Sequence, residues 1–359
     1  MEKYEIVSFS LDTLDVNIQK LFGNIHQFIN IPSIYKIADF MEKAKLLKIN
    51  FNGGALIKTG KLKDEFVIDD YDVFLVDEKN EEMFLASKKQ LLSSGFVLDS
   101  ESSGTLTTQQ TSILQDIDGT SYDFLLKKKE AFEKIVGGAF DIDLLFLEIK
   151  KNDRDRTKIS VELKNASALE SLHKKIAIFR GHTKDYNRVL KRMLVLIAKF
   201  DIENFVVKDK VINVSENPLN TSENLRKIKE ILPEMIDKSK ASTLMKFFSM
   251  FYRVSTPLDY VLKINNSHIF EENFPELSKI LKNDKFISFL ATEQYSKSKQ
   301  LNNEMNVFDK LLFYAEDKEK FINECKILSY IESDKQTHIF KLIFGKLNSF
   351  SQTKLFTKQ

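Results

Sequence analysis

The spacing of apolar residues changes along the chain from a strand pattern to a helix pattern. In the first half, short apolar runs at 48–51, 73–76 and 124–126 predict β-strands that continue into a core. Residues 33–47 have helical periodicity, and the apolar face of that helix consists of Ile34, Ile37, Ala38, Met41 and Leu46. From about residue 165 onward helical spacing dominates. The pattern therefore predicts an α+β fold, in which a small mixed sheet is followed by an all-helical neck and body.

Polar and charged segments divide this pattern into four predicted regions. Residues 150–158 form a charged connection without apolar side chains, and 215–222 is the clearest linker candidate. The polar stretch 100–104 is expected to be a loop or a hairpin tip. The expected regions are an N-terminal extension at 1–34, a mixed α/β head at 35–160, a helical neck at 161–215 and a helical body at 216–359.

Two aspartates stand at the start of one predicted strand. Because side chains in a strand alternate between faces, Asp70 and Asp72 point to one side and Tyr71 to the other. Two adjacent carboxylates repel each other, and a hard divalent cation such as Mg²⁺ relieves that repulsion. Upstream, Gly53 and Gly54 would let backbone N–H groups approach a phosphate without an intervening Cβ. Such an acidic pair also occurs on solvated strand ends, but this order of elements favours a metal-dependent nucleoside triphosphate site.

A two-metal site needs a third carboxylate from a neighbouring strand. The Asp-Gly dipeptide at 118–119 is a hairpin-turn signal, and Asp123 stands at the start of the apolar run that follows, so Asp123 is the predicted third ligand. Asp141 and Asp143 are competitors, because they also follow a glycine pair. The spacer after that pair is too short for a phosphate-binding turn and a helix. We therefore expect this segment to line the site or to begin a buried strand.

The order of these segments resembles the polymerase-β-like nucleotidyltransferases, and specifically the head domain of class II tRNA nucleotidyltransferases (CCA-adding enzymes) and bacterial poly(A) polymerases. The resemblance rests on the string GGALIKTG followed by DDYDVFLVD, on residues 117–126 and on the helix at 184–192. It covers roughly residues 35–205. It implies NTP substrates, ATP and/or CTP, and a two-ion Mg²⁺ site held by Asp70, Asp72 and Asp123.

Two further features complete the predicted site. Lys58 stands near the Gly53 and Gly54 turn and would help to hold the triphosphate. Asp185 and Arg188 are three residues apart on one helix face, and the resemblance implies that they read the base of the incoming nucleotide. An ordinary surface ion pair is the alternative for these two residues.

The sequence departs from the family pattern mainly at arginine positions. Ile57 stands where the family has an arginine, Gly-Gly-Ala at 137–139 replaces Arg-Arg-Asp, and Lys184 replaces a glutamate. The metal-binding acids are kept. Nucleotidyl transfer is therefore better supported than any particular nucleotide preference.

Basic residues cluster across the predicted head and neck, although the net charge of the whole chain is only +2. A cluster of this kind on one face would bind a phosphate backbone, which favours an RNA partner. A lysine-rich composition that scatters charge over every solvated helix is the alternative. The cluster comprises Lys127, Lys128, Lys129, Lys150, Lys151, Arg154, Arg156, Lys158, Lys174, Lys175, Arg180 and the basic residues from Lys184 to Arg192.

Several classes of protein are disfavoured by the remaining composition. Cys325 is the only cysteine, which excludes an intramolecular disulfide framework and a multi-cysteine zinc site. The five histidines show no ligand spacing. The first residues lack the features of a signal peptide, and no apolar run approaches the length of a membrane span. The expected location is the cytoplasm, with no membrane partner.

The sequence as a whole predicts a template-independent RNA nucleotidyltransferase that adds nucleotides to an RNA 3′ end, with tRNA as the expected acceptor. Two alternatives remain open. One is a nucleotidyltransferase with another acceptor, by poly(A) tailing or by modification of a protein or small molecule. The other is a non-catalytic RNA-binding protein that has kept the fold.

Overall fold

The computed structural model describes most of the chain, and the described residues form two compact units. The first unit comprises residues 1–60 and 64–182, and the second comprises 61–63 and 183–359. The described ranges are 3–62, 70–76, 78–103, 108–129, 139–180, 186–207, 237–267, 269–271, 273–292 and 307–330.

The first unit is built on an eight-stranded sheet with the strand order β1-β8-β7-β2-β3-β6-β5-β4. Its strands are β1 (Glu5–Leu11), β2 (Lys48–Asn52), β3 (Asp70–Val76), β4 (Val97–Ser103), β5 (Thr108–Gln115), β6 (Ser121–Lys127), β7 (Phe146–Lys151) and β8 (Lys158–Lys164). The pairs β1–β8 and β3–β6 are parallel, and the pairs β2–β3, β2–β7, β4–β5, β5–β6 and β7–β8 are antiparallel. The sheet is therefore mixed, which confirms the predicted α+β fold class.

The helices of the first unit include α1 (Val16–Leu21), α2 (Ile25–Phe28), α3 (Ile31–Lys43), α4 (Glu81–Ser93) and α5 (Ala168–His173). The helix expected from the periodicity at 33–47 is α3, which begins two residues earlier, at Ile31, with Pro32 in its first turn. Its buried residues include Ile34, Ile37, Ala38 and Met41, as the periodicity predicted. Leu46 is buried too, although it lies beyond the end of the helix.

Helices α3 and α4 pack on one face of strand β6. The ring of Phe40 stacks on Tyr122 with centroids 4.9 Å apart, and that of Phe84 stacks on Phe124 at 4.5 Å. Since side chains alternate along a strand, Tyr122 and Phe124 turn the intervening Asp123 to the opposite face. The aromatic core thus decides which face of the sheet carries the acidic residues.

The hairpin predicted at Asp118 and Gly119 is present. Strands β5 and β6 pair antiparallel on either side of it, and Gly119 has φ +78°, a value that glycine tolerates. The carboxylate of Asp116 accepts hydrogen bonds from the backbone N–H groups of Asp118 and Thr120. The turn chemistry therefore determines where β6 begins.

The structure differs from the predictions in two segments. Residues 100–103, from the stretch expected to be a loop or a hairpin tip, belong to β4, whose residues are all exposed at the sheet edge. Their polarity therefore reflects an edge strand, and residue 104 lies outside the described residues. The region after 165 is not wholly helical, because it contains the short strands β9 (Ile176–Phe179) and β10 (Asn204–Val207). Residues 5–11, from the predicted N-terminal extension, form strand β1 at the other edge of the sheet.

The second unit is dominated by helices in its described part. They are α6 (Tyr186–Phe200), α7 (Asp237–Arg253), α8 (Pro257–Ser267), α9 (Pro275–Leu281), α10 (Asp284–Ala291), α11 (Val307–Tyr314) and α12 (Lys318–Cys325). The apolar residues of α6 recur at helical spacing, and Val189, Leu190, Met193, Leu194 and Ile197 are buried. No helix in the described part of the chain is both long and apolar enough to cross a membrane.

The aromatic packing on the sheet generates a stability prediction. Phe84 is fully buried and stacks on Phe124, so Phe84→Ala should lower the free energy of unfolding by about 3–5 kcal/mol. The neighbouring Met83 is 48% exposed on the same helix, so Met83→Ala should change it by no more than about 0.5 kcal/mol. Urea unfolding followed by circular dichroism measures both. Equal effects of the two substitutions would contradict the assignment of α4 to the core.

Candidate active site

The three predicted metal ligands lie on one face of two neighbouring strands. In the parallel pair β3–β6, Asp72 lies directly opposite Asp123, and Asp70 lies opposite Ser121. Residues in register across a sheet project from the same face, so the three aspartates share the face opposite helices α3 and α4. The structure thus adds a direct cross-strand relation between Asp72 and Asp123 that the sequence alone did not give. Their role as metal ligands stays a prediction.

Burial and negative charge act together on Asp123. Its pKa is raised to about 6, chiefly because the half-buried carboxyl loses hydration and also because the charge of Asp70 is close. A bound cation would offset both effects, since it replaces lost hydration and neutralises the second carboxylate. A perturbed acid of this kind beside other carboxylates is typical of a functional site.

Gly53 brings the glycine turn directly against one of these acids. Strand β2 ends at Asn52, opposite Asp72, and Gly53–Ala55 form a short 3₁₀ turn. Gly53 has φ +81°, and a Cβ on it would lie 2.3 Å from Oδ2 of Asp72. A side chain there would therefore displace the carboxylate. This contact alone explains why a glycine is needed at position 53, whether or not a phosphate binds there. The predicted phosphate role of Gly53 and Gly54 stays a prediction.

Lys127 also lies on the sheet face that carries the three aspartates, although its sequence position predicted only membership of the basic cluster. It lies four residues after Asp123 on β6 and is half-buried, with Nζ 5.9 Å from the ring centroid of Phe74. Burial lowers the pKa of Lys127, and the charge of Asp72 acts in the opposite direction. Counting by twos from Asp123 along the predicted strand would have placed Lys127 on the acidic face.

Lys58 is exposed and bonded to the N-terminal helices. Its Nζ donates to the carbonyl oxygen of His26 at 2.5 Å, and its backbone N–H donates to that of Phe28 at 2.7 Å. The adjacent Ile57 is buried and forms a β-bridge with Ile29. Ile57 is thus a core residue. The proposed triphosphate contact of Lys58 stays a prediction.

The competing acids Asp141 and Asp143 serve local structure. They lie on a 3₁₀ helix, and Asp141 accepts hydrogen bonds from Ser171 Oγ at 2.5 Å and from the backbone N–H of Ile178 at 2.8 Å. Asp143 accepts from the backbone N–H of Phe140 at 3.1 Å. The buried strand of this segment begins later than the sequence suggested, with β7.

The predicted base-reading pair is described only in part. Asp185 lies outside the described residues, and Arg188 is exposed on α6. Four lysines of the predicted basic cluster are paired with carboxylates: Lys150 with Glu148 at 2.7 Å, Lys151 with Glu42 at 3.6 Å, Lys158 with Asp155 at 3.8 Å, and Lys174 with Glu170. Since paired lysines attract a phosphate backbone less, this cluster is weaker than its sequence suggests. The exposed Arg154 and Arg156 stand at the turn between β7 and β8.

The donors on the acidic face suit a hard cation in their chemistry, since all three are carboxylates and the charge of Asp70 already raises the pKa of Asp123. In the described part of the chain, however, no group of three or more His, Cys, Asp or Glu side chains is arranged to hold a metal ion. Binding of a metal ion by these carboxylates stays a prediction.

No protein-family model and no curated protein matches the chain. Among solved structures, the chain is similar to the CCA-adding enzyme of Thermotoga maritima complexed with tRNA, at 12% sequence identity and a TM-score of 0.40. The match covers 92% of this chain and 85% of that one. A similarity this low does not establish a shared function. The function must therefore be inferred from the sheet and from the acidic residues on its strands.

The contact between Gly53 and Asp72 predicts that alanine substitution changes the free energy of unfolding differently at Gly53 and at Gly60. Gly53→Ala should lower the free energy of unfolding by at least about 1–2 kcal/mol, because φ is positive and the added Cβ would collide with the carboxylate. A Cβ on Gly60 would meet nothing within 4 Å, so Gly60→Ala should be neutral or stabilise the chain by up to about 1 kcal/mol. Urea unfolding compares them, and an equal response would contradict the described turn.

The raised pKa of Asp123 generates a pH prediction. Because the value of about 6 in the folded chain lies above the ordinary 3.8, the stability that Asp123 contributes is fully present below pH 3.8 and is lost as pH rises through 6. Asp123→Asn keeps the side chain neutral and should remove this loss. The difference in unfolding free energy between variant and wild type should therefore move in favour of the variant from pH 4 to about 7. A difference that is constant over this range would show that Asp123 is not perturbed.

Proposed function

We propose that the chain is a nucleotidyltransferase that transfers a nucleotide from a nucleoside triphosphate to the 3′ hydroxyl of an RNA, with tRNA as the first acceptor to test. The observation that carries this proposal is the register of β3 with β6, which makes Asp72 and Asp123 direct neighbours and puts Asp70 on their face. Nucleotidyl transfer requires carboxylates fixed side by side, because they must hold cations against the phosphates.

Each acid has a distinct proposed role. Asp70 and Asp72 would hold two Mg²⁺ ions, and Asp123 would join the ion nearest the attacking hydroxyl. Two such ions, when bound, stabilise the attacking and the leaving oxygens of an in-line displacement. In the reaction the 3′ oxygen forms a bond to the α-phosphorus, the bond from that phosphorus to the bridging oxygen breaks, and pyrophosphate and the hydroxyl proton are released.

The surroundings of the acids support a catalytic role. Asp70, Asp72 and Asp123 lie on strands, which hold side chains more precisely than loops do. Gly53 leaves space for the Asp72 carboxylate at a position that no larger residue can occupy without a shift. A chain that only bound RNA would not require three half-buried carboxylates on one face. This comparison favours the enzyme over the non-catalytic alternative.

The choice of nucleotide and acceptor is the finer part of the proposal. The proposed nucleotides are ATP and/or CTP, and the proposed base contacts are Asp185 and Arg188, of which Arg188 lies in the first turn of α6. The exposed Arg154 and Arg156 are candidates for contact with the RNA backbone.

The proposal predicts that the three acids are essential to nucleotide incorporation. Purified chain would be incubated with Mg²⁺, each labelled NTP and tRNA transcripts that end at successive 3′ positions. Asp70→Asn, Asp72→Asn and Asp123→Asn should each lower incorporation by roughly a thousandfold or more, because each removes a charge that holds an ion in the transition state. Asp123→Asn should act mainly on turnover.

Asp99→Asn is the matched control, since Asp99 is an exposed aspartate on edge strand β4 of the same sheet. It should incorporate nucleotides at the wild-type rate. Wild-type activity in the Asp70, Asp72 and Asp123 variants would refute the site. Incorporation into a protein or small-molecule pool, with none into RNA, would replace the proposed acceptor.

A further inference from the structure

Lys127 carries a positive charge on the face of the sheet that holds the three aspartates. It lies opposite Val76 in the parallel pair β3–β6, two positions along β3 from Phe74. Because alternate residues share a face, Lys127 projects on the same side as Asp72 and Asp123. The cation therefore belongs to the acidic face of the sheet, and only its neighbours at 128 and 129 lie beyond the strand.

The side chain of Lys127 reaches the face of an aromatic ring. Its Nζ lies 5.9 Å from the ring centroid of Phe74, and that ring in turn lies 5.7 Å from the ring of Phe146. Phe74 separates Asp72 from Val76 along β3, so its ring lies on the acidic side of Lys127. The opposite charge of Asp72 also attracts the ammonium group of Lys127 and favours its charged form. The ammonium group is thus held on the acidic face by its strand, by the ring and by the opposite charge.

Holding a cation in this position is unfavourable without a further partner. Burial lowers the pKa of Lys127, which shows that its charged form loses hydration. The attraction of Asp72 does not outweigh this cost, since the pKa of Lys127 stays below its ordinary value. A cation–π contact of this kind contributes only about 0.5–1 kcal/mol. An anionic ligand that arrives at the acidic face would supply a further partner for this half-buried charge.

We infer that Lys127 is an anion-binding residue of this face, and that its ligand is the phosphate chain of a nucleoside triphosphate. A lysine binds phosphate as a point charge and does not need the forked geometry of an arginine. This assignment rests on the proposed function. It differs from the predicted triphosphate contact, because Lys58 is exposed and its ammonium group is bonded to the carbonyl of His26.

A direct binding measurement tests this inference without requiring turnover. Isothermal titration of the full chain with inorganic tripolyphosphate, and separately with ATP and CTP, would be made in the presence of Ca²⁺. Lys127→Met should weaken the binding of tripolyphosphate and of both nucleotides by roughly ten- to hundredfold, the loss expected for one charge-assisted hydrogen bond. Lys127→Arg should restore part of the affinity. Lys127→Met also removes a half-buried charge and keeps the length of the side chain, so the variant should fold.

Lys89→Met is the matched control, because Lys89 is an exposed lysine on α4, which packs on the other face of the sheet. It should bind all three ligands with wild-type affinity. Unchanged tripolyphosphate binding in Lys127→Met would overturn the inference, and so would absence of binding by the wild type. If Lys127→Met changed only the salt dependence of unfolding, Lys127 would be a structural counter-ion and the inference would also fail.

The same variants separate this inference from the proposed function. If the wild type transfers no nucleotide but Lys127→Met loses tripolyphosphate affinity, the anion site stands and the proposed reaction fails. If the wild type transfers nucleotides and Lys127→Met has an unchanged KM for the NTP, the reaction stands and the anion site fails. If both are right, Lys127→Met should raise the KM for the NTP more than it lowers kcat.

Discussion

The in-register parallel pairing of β3 with β6 is the constraint on which the candidate site depends. It places Asp72 beside Asp123 and keeps Asp70 on their face. A shift of one residue in β6 would turn Asp123 toward the face covered by Phe40 and Phe84, where a carboxylate would be desolvated among aromatic rings. The aromatic packing therefore fixes the core and the position of the acids at once. The register of β3 with β6 thus determines both the packing of the aromatic core and the positions of the candidate catalytic acids.

The acidic face carries half-buried charges of both signs. A bound cation and a polyphosphate together would compensate them. Asp123 holds its proton up to a pH of about 6, because it is half-buried and near Asp70. On the same face, Lys127 is a half-buried cation whose charge is opposed by burial. Divalent ions would compensate the carboxylates, and the phosphates would compensate both the ions and the lysine. The two proposals are thus parts of one charge balance, although they are tested separately.

Local sequence patterns were sufficient to predict some of this arrangement. Strand alternation predicted that Asp70 and Asp72 share a face, and the turn at Gly119 predicted the strand that carries Asp123. Other features depend on partners distant in sequence. The pairing of β3 with β6 joins segments about fifty residues apart, and the contact of Gly53 with Asp72 exists only after β2 and β3 pair. The strand at 176–179 was missed because a short apolar run fits a helix or a strand equally well.

We propose that Asp70, Asp72 and Asp123 form one divalent-cation centre, and anomalous diffraction would detect such a centre directly. Crystals of the wild-type chain would be soaked with Mn²⁺ and a non-hydrolysable NTP analogue. We expect manganese peaks within about 2.0–2.3 Å of carboxylate oxygens of Asp70 and Asp72, with Asp123 bound to one of the ions. Peaks at Asp141 and Asp143 with none at the β3–β6 pair, or nucleotide bound without any ion at the three aspartates, would contradict it.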